Sequence, residues 1–238
     1  IIENSIFFLQ TNTVYGAGIV VDGGRSIITN NLIFDDFGSI SERGIRAGLF
    51  LDPLANIIKN NIVSGFARNI DAFATDIAIA ENNISIFARE RGFTINTKTD
   101  MRNNISTSNS VGVVGATSTN SDYNIYWQNT TNTTDQLAEH DIAANPMFVN
   151  DTIPVYGGSY DYHLQKYSPA IDNGDPNILD VDGSRSDIGI FGGPYGQMYT
   201  YQDLAPKPPS NLTASMDSGL VHLKWNKNTE ADFFRYRV

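Results

Sequence analysis

Short hydrophobic runs separated by polar turns recur along the first half of the chain. Residues 1–8 read Ile-Ile-Glu-Asn-Ser-Ile-Phe-Phe, and this order of apolar, Asn-containing and apolar positions returns five times. Runs of about four residues are too short for helices, and no window keeps apolar residues at i, i+3, i+4 and i+7 for two turns. The pattern therefore predicts strands. Their equivalent turn positions, separated by 26, 30, 22, 21 and 20 residues, are Asn4, Asn30, Asn60, Asn82, Asn103 and Tyr123.

A second anchor repeats in step with the first. Apolar runs led by Gly or Asp precede five of these positions by 11 or 12 residues, and they begin at Gly18, Gly48, Asp71, Gly92 and Gly112. Each period thus holds two or three short strands. One such unit cannot bury its own apolar face, so the repeat predicts an all-β solenoid of stacked coils with parallel sheets. Asn tolerates the left-handed backbone of a sharp bend, so we expect stacked Asn side chains to exchange hydrogen bonds along the axis.

The composition agrees with a repeating structural unit. The 238 residues include 25 Asn and 26 Ile, and 41% are hydrophobic, which is enough for a buried core. The net charge of −10 disfavours nucleic acid and anionic membranes as partners. There is no Cys, which excludes disulfides, thiolate metal sites and a Cys nucleophile. No stretch approaches the roughly 20 apolar residues that span a bilayer, so we expect no membrane insertion.

The Asn-Asn-Ile turn, the Gly-led strand and the period together resemble those of right-handed parallel β-helix proteins of the pectate-lyase-like superfold. The resemblance covers residues 1 to about 127. Further motifs are similar to a C-terminal end found in bacterial β-helix proteins: 145–148, 161–164, 168–172, 180–183 and 187–192. The resemblance implies a right-handed parallel β-helix with a cap region, spanning residues 1–204. It leaves the activity open, because this superfold hosts lyases, hydrolases, esterases, tailspikes and adhesins.

The C-terminal tail has a different character. Residues 205–210 are a Pro-rich linker by composition. Residues 211–238 resemble the start of a fibronectin type III domain, of which about 30 residues cannot close a sandwich of about 100. We therefore expect the chain to belong to a longer protein. The combination resembles secreted or cell-surface bacterial proteins that meet polysaccharides outside the cell.

A charged ridge is expected on one side of the solenoid, because the segments after the Asn-led strands supply charges in consecutive coils. Carboxylates there could hold Ca²⁺ against a uronate, and an Arg could take the proton alpha to the carboxylate, as in the lyases that the chain resembles. A solvated face of ion pairs is the alternative. The catalytic candidates are Asp35, Asp36, Arg43, Arg46, Arg68, Arg89 and Arg91, with Glu42, Asp71 and Glu90 beside them.

A second candidate site lies near the end of the predicted solenoid. Asp180, Asp182 and Asp187 offer the oxygen ligands that Ca²⁺ prefers. The spacing does not match an EF-hand loop, because Gly183 falls at its fourth position rather than its sixth. The alternative is that these carboxylates cap turns and pair with Arg185.

Aromatic residues offer a third candidate. Tyr126 and Trp127 fall in the last clear coil, beside a polar loop over residues 129–134, and could stack on sugar rings. Burial inside the solenoid is the alternative for both. The three His residues are far apart in sequence, and no Gly-x-Ser-x-Gly motif supports nucleophilic serine chemistry.

Two functional hypotheses follow. The first is an extracellular β-helix module that binds or displays toward a polysaccharide or cell-surface glycan. The second is a polysaccharide lyase or glycoside hydrolase whose groove runs along the charged ridge. A phage or adhesin stalk, which would form trimers, is a third possibility. Ca²⁺ is the one cofactor that these hypotheses involve, and the oligomeric state is open.

Overall fold

The structure is a computed structural model that describes residues 1–9, 16–22, 24–35, 42–48, 55–74, 77–155 and 157–237. These residues form 22 short strands and no helix. Accordingly, the described part of the chain holds no helix suited to crossing a membrane. The protein is all-β, as the sequence predicts.

The first eighteen strands form six coils of three strands each. In chain order they are β1 (Ile2–Glu3), β2 (Ile6–Leu9) and β3 (Ala17–Val21); β4 (Ile27–Thr29), β5 (Leu32–Asp35) and β6 (Arg43–Ala47); β7 (Asn56–Lys59), β8 (Ile62–Ser64) and β9 (Arg68–Ala72); β10 (Ala78–Glu81), β11 (Ile84–Ile86) and β12 (Arg91–Ile95); β13 (Thr99–Arg102), β14 (Ile105–Thr107) and β15 (Val111–Val114); and β16 (Ser121–Asp122), β17 (Ile125–Trp127) and β18 (Thr131–Thr133).

Each coil contributes one strand to each of three parallel sheets. The first sheet is β1-β4-β7-β10-β13-β16, the second is β2-β5-β8-β11-β14-β17, and the third is β3-β6-β9-β12-β15-β18. Ile2 pairs with Ile28, Ile28 with Ile58, and Ala80 with both Ile58 and Met101, while Met101 pairs with Ser121. These steps equal the five spacings read from the sequence. The chain is a parallel β-helix, and the register predicted from the turn positions is confirmed. The second anchor is wrong in two coils, because Gly18 aligns with Gly44 and Asn69 rather than with Gly48 and Asp71.

The inward side chains of the three sheets form one continuous apolar core. Each sheet contributes one aliphatic column, because successive coils place similar residues at the same position. Members of this core that are completely buried include Ile28 and Ile58 from the first sheet, Ile33 and Val63 from the second, and Ile45 and Ile70 from the third. Burial of such columns is the main stabilising contribution, since no single coil could exclude water from its apolar face.

The bend between the first and second sheets is built from Asn pairs. Four bends hold two consecutive Asn residues, whereas Ser5 follows Asn4 in the first coil and Tyr123 precedes Asn124 in the sixth. The first residue of each bend is left-handed, with φ between 52° and 58° for Asn4, Asn30, Asn60, Asn82, Asn103 and Tyr123. The second Asn points inward and donates its side-chain amide to the next coil. This ladder runs through Asn31, Asn61, Asn83, Asn104 and Asn124, and the Nδ2 to Oδ1 distance between successive Asn residues is 3.0 Å. At its end, Asn124 Nδ2 donates to Asp141 Oδ1 at 3.2 Å. The predicted amide stacking is therefore confirmed.

The chain after the sixth coil folds back over the outside of the second sheet. Strands β19 (Phe148–Asn150) and β20 (Asp161–Leu164) pair antiparallel. Phe148, Leu164 and Ile188 pack in a second apolar cluster with Ile84 and Ile105 of the second sheet. This covering segment closes the outer face of the later coils.

A separate hairpin ends the described chain. Strands β21 (Thr213–Asp217) and β22 (Leu220–Lys224) pair antiparallel, and all ten of their residues are exposed. The hairpin adds a small antiparallel sheet to the solenoid without extending its core.

Candidate functional site

The outer face of the third sheet carries an ordered row of guanidinium groups. Arg43, Arg68 and Arg91 are the first residues of β6, β9 and β12, and they are direct partners in the parallel register. Neighbouring strands lie about 4.8 Å apart, so the three side chains leave the sheet at that interval along the axis. The sequence placed these residues in one ridge, and the structure brings them together.

A second row runs beside the first, three residues further along each strand. Arg46 is the register partner of Asp71, and Asp71 is the register partner of Thr94. The side chain of Asp71 is only 2% exposed, and its Oδ2 accepts a hydrogen bond of 2.8 Å from Arg43 Nε. Within the described part of the chain, Asp71 Oδ1 and Thr94 Oγ1 are buried without a hydrogen-bond partner. Two unsatisfied oxygens therefore sit on adjacent strands of this face.

The charges on this face balance. Glu42 Oε1 lies 3.0 Å from Arg43 Nη2 and 3.9 Å from Arg68 Nη1. Arg68 Nε lies 3.5 Å from Glu90 Oε2. Arg46 lies 3.5 Å from Asp22. Four arginines thus accompany four carboxylates, and the face offers many hydrogen-bonding groups with little net charge. We call this surface the third-sheet face, defined by Asp22, Glu42, Arg43, Arg46, Arg68, Asp71, Glu90, Arg91 and Thr94.

Two further candidates pair at the corner between the second and third sheets. The carboxylate of Asp35 is buried, and Arg89 Nη1 lies 3.3 Å from its Oδ2. The same nitrogen donates to the Gly65 carbonyl. Arg89 therefore joins three successive coils. Asp36 lies outside the described residues.

Two members of the third-sheet face did not figure among the charged residues considered from sequence. Thr94 is uncharged, and Asp22 comes directly after the end of β3. A signal for Thr94 existed, because it stands two residues after Gly92, as Arg46 stands two residues after Gly44. Aligning the Gly-led strands by register would have placed Thr94 beside Asp71.

The two aromatic candidates occupy different environments. Tyr126 is 1% exposed and belongs to the core of the solenoid, and burial raises the pKa of its hydroxyl well above the usual value. Its ring is out of reach of a surface ligand. Trp127 is half-buried and lines a surface depression with Asn145 and Asp151. Only Trp127 is therefore placed where a sugar could stack.

The three candidate Ca²⁺ ligands lie around a cavity of about 130 Å³ that Phe191, Tyr199 and Tyr201 also line. Asp187 is 2% exposed; its Oδ1 accepts from Asp172 N at 2.9 Å and its Oδ2 from the Tyr201 hydroxyl at 2.9 Å. Burial raises the pKa of Asp187 to about 6.

The other two carboxylates are also engaged in turns. Asp180 accepts hydrogen bonds from Asp187 N and Gly193 N, and burial raises its pKa. Asp182 is exposed and accepts from Ser184 N at 2.9 Å. Arg185 donates to the Gly174 carbonyl at 2.6 Å. In the part of the chain that is described, no three His, Asp or Glu side chains are grouped so as to hold a metal ion. Calcium at these residues stays a prediction.

An Asp-His pair that the sequence did not suggest lies on the first sheet. His140 Nδ1 lies 2.8 Å from Asp122 Oδ2, and the imidazole stacks on Tyr123 with ring centroids 4.4 Å apart. The hydrogen bond to Asp122 raises the pKa of His140. Among the described residues His163 pairs with Asp161 in the same way, and its imidazole stacks on Phe191 of the covering segment. Within the described residues, no serine or threonine hydroxyl is hydrogen-bonded to either imidazole.

No protein-family model, no curated protein and no solved structure matches the chain.

Proposed function

We propose that the chain is a polysaccharide-binding β-helix module whose binding surface is the third-sheet face. One observation carries the proposal: hydrogen-bonding side chains repeat along the solenoid axis at the spacing of neighbouring strands. They form two parallel rows, Arg43-Arg68-Arg91 and Arg46-Asp71-Thr94. A linear polymer presents hydroxyl groups at regular intervals. A row of forked guanidinium donors and carboxylate acceptors matches such a ligand better than it matches a compact one.

The balanced charge favours a neutral polysaccharide over a uronate polymer. An anionic chain would gain from the arginines but would meet Glu42, Glu90 and Asp71 on the same surface. Sugar hydroxyls both donate and accept, so they can bind to both kinds of side chain without displacing an ion pair.

Ion pairing on this face supports binding rather than catalysis. A general base must be free to take a proton, and a glycosidase needs two carboxyl groups on opposite sides of the scissile bond. Asp71 is held by Arg43 at 2.8 Å, whereas Glu42 and Glu90 lie against arginines. We therefore favour binding over the lyase or hydrolase hypothesis, which the experiment below tests by an assay for reaction products.

The wider setting belongs to the same proposal. We assign the solenoid to the pectate-lyase-like superfold on the strength of the Asn-Asn-Ile turns, and residues 211–238 to the start of a fibronectin type III domain. The antiparallel hairpin β21–β22 supports the second assignment. Both features suit a secreted or cell-surface bacterial protein that contacts glycans.

Affinity electrophoresis through gels containing neutral polysaccharides tests the proposal. We expect retarded migration in at least one neutral polymer, persisting in high salt, and loss of retardation in Arg91→Ala. Lys98→Ala, an exposed residue outside the face, is the matched control. The same mixtures are assayed for new reducing ends and for the ultraviolet absorbance of unsaturated sugars. Product formation would replace the binding function with an enzymatic one, and absence of retardation in every neutral polymer would overturn the proposal.

A further inference from the structure

The left-handed Asn residues form a second row, on the outside of the bend, and three of them hold the covering segment. Asn60 Nδ2 donates to the carbonyls of Ile190 and Gly192, each at 2.8 Å. Asn82 Nδ2 donates to the carbonyls of Asp187 and Gly189 at 2.8 and 3.0 Å. These bonds are all made to peptide backbone. On the third and fourth coils the outer Asn side chains thus bind peptide carbonyls.

Asn103, the third of these residues, accepts a hydrogen bond from the covering segment instead of donating one. Asn103 Oδ1 accepts a hydrogen bond of 2.7 Å from Asp175 N. The apolar positions beside the row are also covered, because Ile84 and Ile105 of the second sheet pack against Ile188. A peptide is therefore held on these coils by amide contacts and by one aliphatic column.

The same positions on the first two coils are not covered. Asn4 is exposed and Asn30 half-buried, and no hydrogen bond joins either side-chain amide to another described residue. Ile6, which continues the aliphatic column, is 70% exposed. A groove of about 190 Å³ lies here, lined by Asn4, Asn30, Leu32, Asn60, Ile62 and Ile190.

The wall of this groove contains an unsatisfied group. Asn60 is 4% exposed, and its Oδ1 has no hydrogen-bond partner in the described part of the chain. Asn82 Oδ1 is likewise buried without a partner, although Asn82 Nδ2 already binds the covering segment. The groove lies beside the residues of the covering segment that bind Asn60, which are Ile190 and Gly192.

We propose that this groove binds a peptide segment of a partner protein that is rich in Gly and aliphatic residues and adopts a bent backbone, as in Ile188–Gly193. The argument is the equivalence of the coils: Asn4 and Asn30 have the same backbone conformation as Asn60 and Asn82, which bind peptide carbonyls. The side-chain amides of Asn4 and Asn30 would donate to carbonyls of the peptide, and its aliphatic side chains would cover Ile6 and Leu32. A glycan could supply hydroxyl groups but not the aliphatic column.

A labelled synthetic peptide with the sequence of residues 186–193 serves as the probe, and its fluorescence anisotropy is measured with the full chain. We expect saturable binding, at least tenfold weaker in Asn30→Gly and in Ile6→Ser. Glycine keeps the left-handed backbone, so Asn30→Gly removes only the side chain. Asn211→Gly is the matched control, because Asn211 is exposed and has φ of 55°.

Four results would overturn the proposal. They are absence of saturable binding, equal binding of a scrambled peptide, binding that Asn30→Gly and Ile6→Ser leave unchanged, and displacement of the peptide by a neutral oligosaccharide. Binding lost in Asn82→Gly but kept in Asn30→Gly would mean that the peptide replaces the covering segment. Sedimentation velocity adds a further check, because a dimer that Ile6→Ser dissociates would assign the groove to a second copy.

Discussion

Asn83 and Asn104 are joined by two hydrogen bonds that share one acceptor. Asn104 Oδ1 accepts from the Asn83 backbone N–H at 2.9 Å and from Asn83 Nδ2 at 3.0 Å. Asn83 Nδ2 also donates to the carbonyl of Ile58 at 2.8 Å. One buried side chain therefore links its own bend to the coils on either side, and the ladder fixes the relative position of successive coils.

Asn83→Ala should destabilise the protein by about 3 kcal/mol, since buried groups left unsatisfied cost roughly 1–3 kcal/mol each. The substitution removes the acceptor of the Asn61 backbone N–H and the donor to Ile58 O. Urea unfolding followed by circular dichroism measures the change. Asn226→Ala, an exposed Asn on the tail, should have almost no effect. Equal effects of the two substitutions would show that the ladder contributes no stability.

Arg43→Ala should be more damaging than its exposure suggests. It leaves the carboxylate of Asp71, which is 2% exposed, without its cation, and breaking such a buried pair costs about 3 kcal/mol. Arg46→Ala breaks a looser pair with half-exposed Asp22 and should cost less than about 1 kcal/mol.

Combining Arg43→Ala with Asp71→Asn should recover part of the loss, because the double variant holds no unpaired buried charge. Urea midpoints of Arg43→Ala, Asp71→Asn and the double variant test whether the double variant is more stable than Arg43→Ala. A double variant whose loss equals the sum of both single losses would contradict it.

The register of the solenoid could be predicted because its cause is local and repeats. The left-handed Asn marks each bend, and the distance between two such residues equals the number of residues in a coil. The sequence could not decide whether Tyr126 is buried in the solenoid or exposed for a sugar. A three-residue strand is too short for its pattern to show which side is buried. The register partner of Tyr126, Ser106, is completely buried, and only stacking reveals that relationship.

The covering segment could not be predicted from periodicity. Asn60 Nδ2 meets the Ile190 carbonyl across 130 residues, and Asn103 meets Asp175 across 72. Asn at a bend indicates the backbone conformation but not what its side chain binds. The pairing of Asp122 with His140 was missed for the same reason, since His140 follows the last repeat.

His140 should titrate above the usual pKa of about 6.5. Asp122 Oδ2 lies 2.8 Å from its Nδ1, and this hydrogen bond raises the pKa of His140, although Arg185 opposes it. Because the folded pKa is raised, the pair stabilises the fold below the unfolded pKa and this contribution is lost as pH rises through the folded value. Imidazole NMR titration should show the shift.

Asp122→Asn is expected to lower the pKa of His140 toward its ordinary value, because Asn retains the shape of the side chain without the charge. His222, on the exposed hairpin, provides an internal reference in the same spectra. A His140 pKa that is the same in both proteins would exclude control by Asp122.

Asp187 should make the protein less stable as pH rises from about 4 to 6. Burial raises its pKa to about 6, so the folded state holds a proton that the unfolded state has already released. Stability therefore falls with pH in that window, by about 3 kcal/mol for a shift of roughly two units. Asp180, whose pKa burial also raises, acts with the same sign.

Asp187→Asn should remove most of this slope and raise stability at pH 7. The amide can keep both contacts, accepting from Asp172 N through its oxygen and donating to the Tyr201 hydroxyl through its nitrogen. Urea unfolding at pH 4 and pH 7 measures the slope. Asp182→Asn is the control, because the hydrogen bond from Ser184 lowers the pKa of Asp182 and moves its titration below this window. A slope that survives Asp187→Asn but disappears in Asp182→Asn would assign the pH dependence to the exposed carboxylate instead.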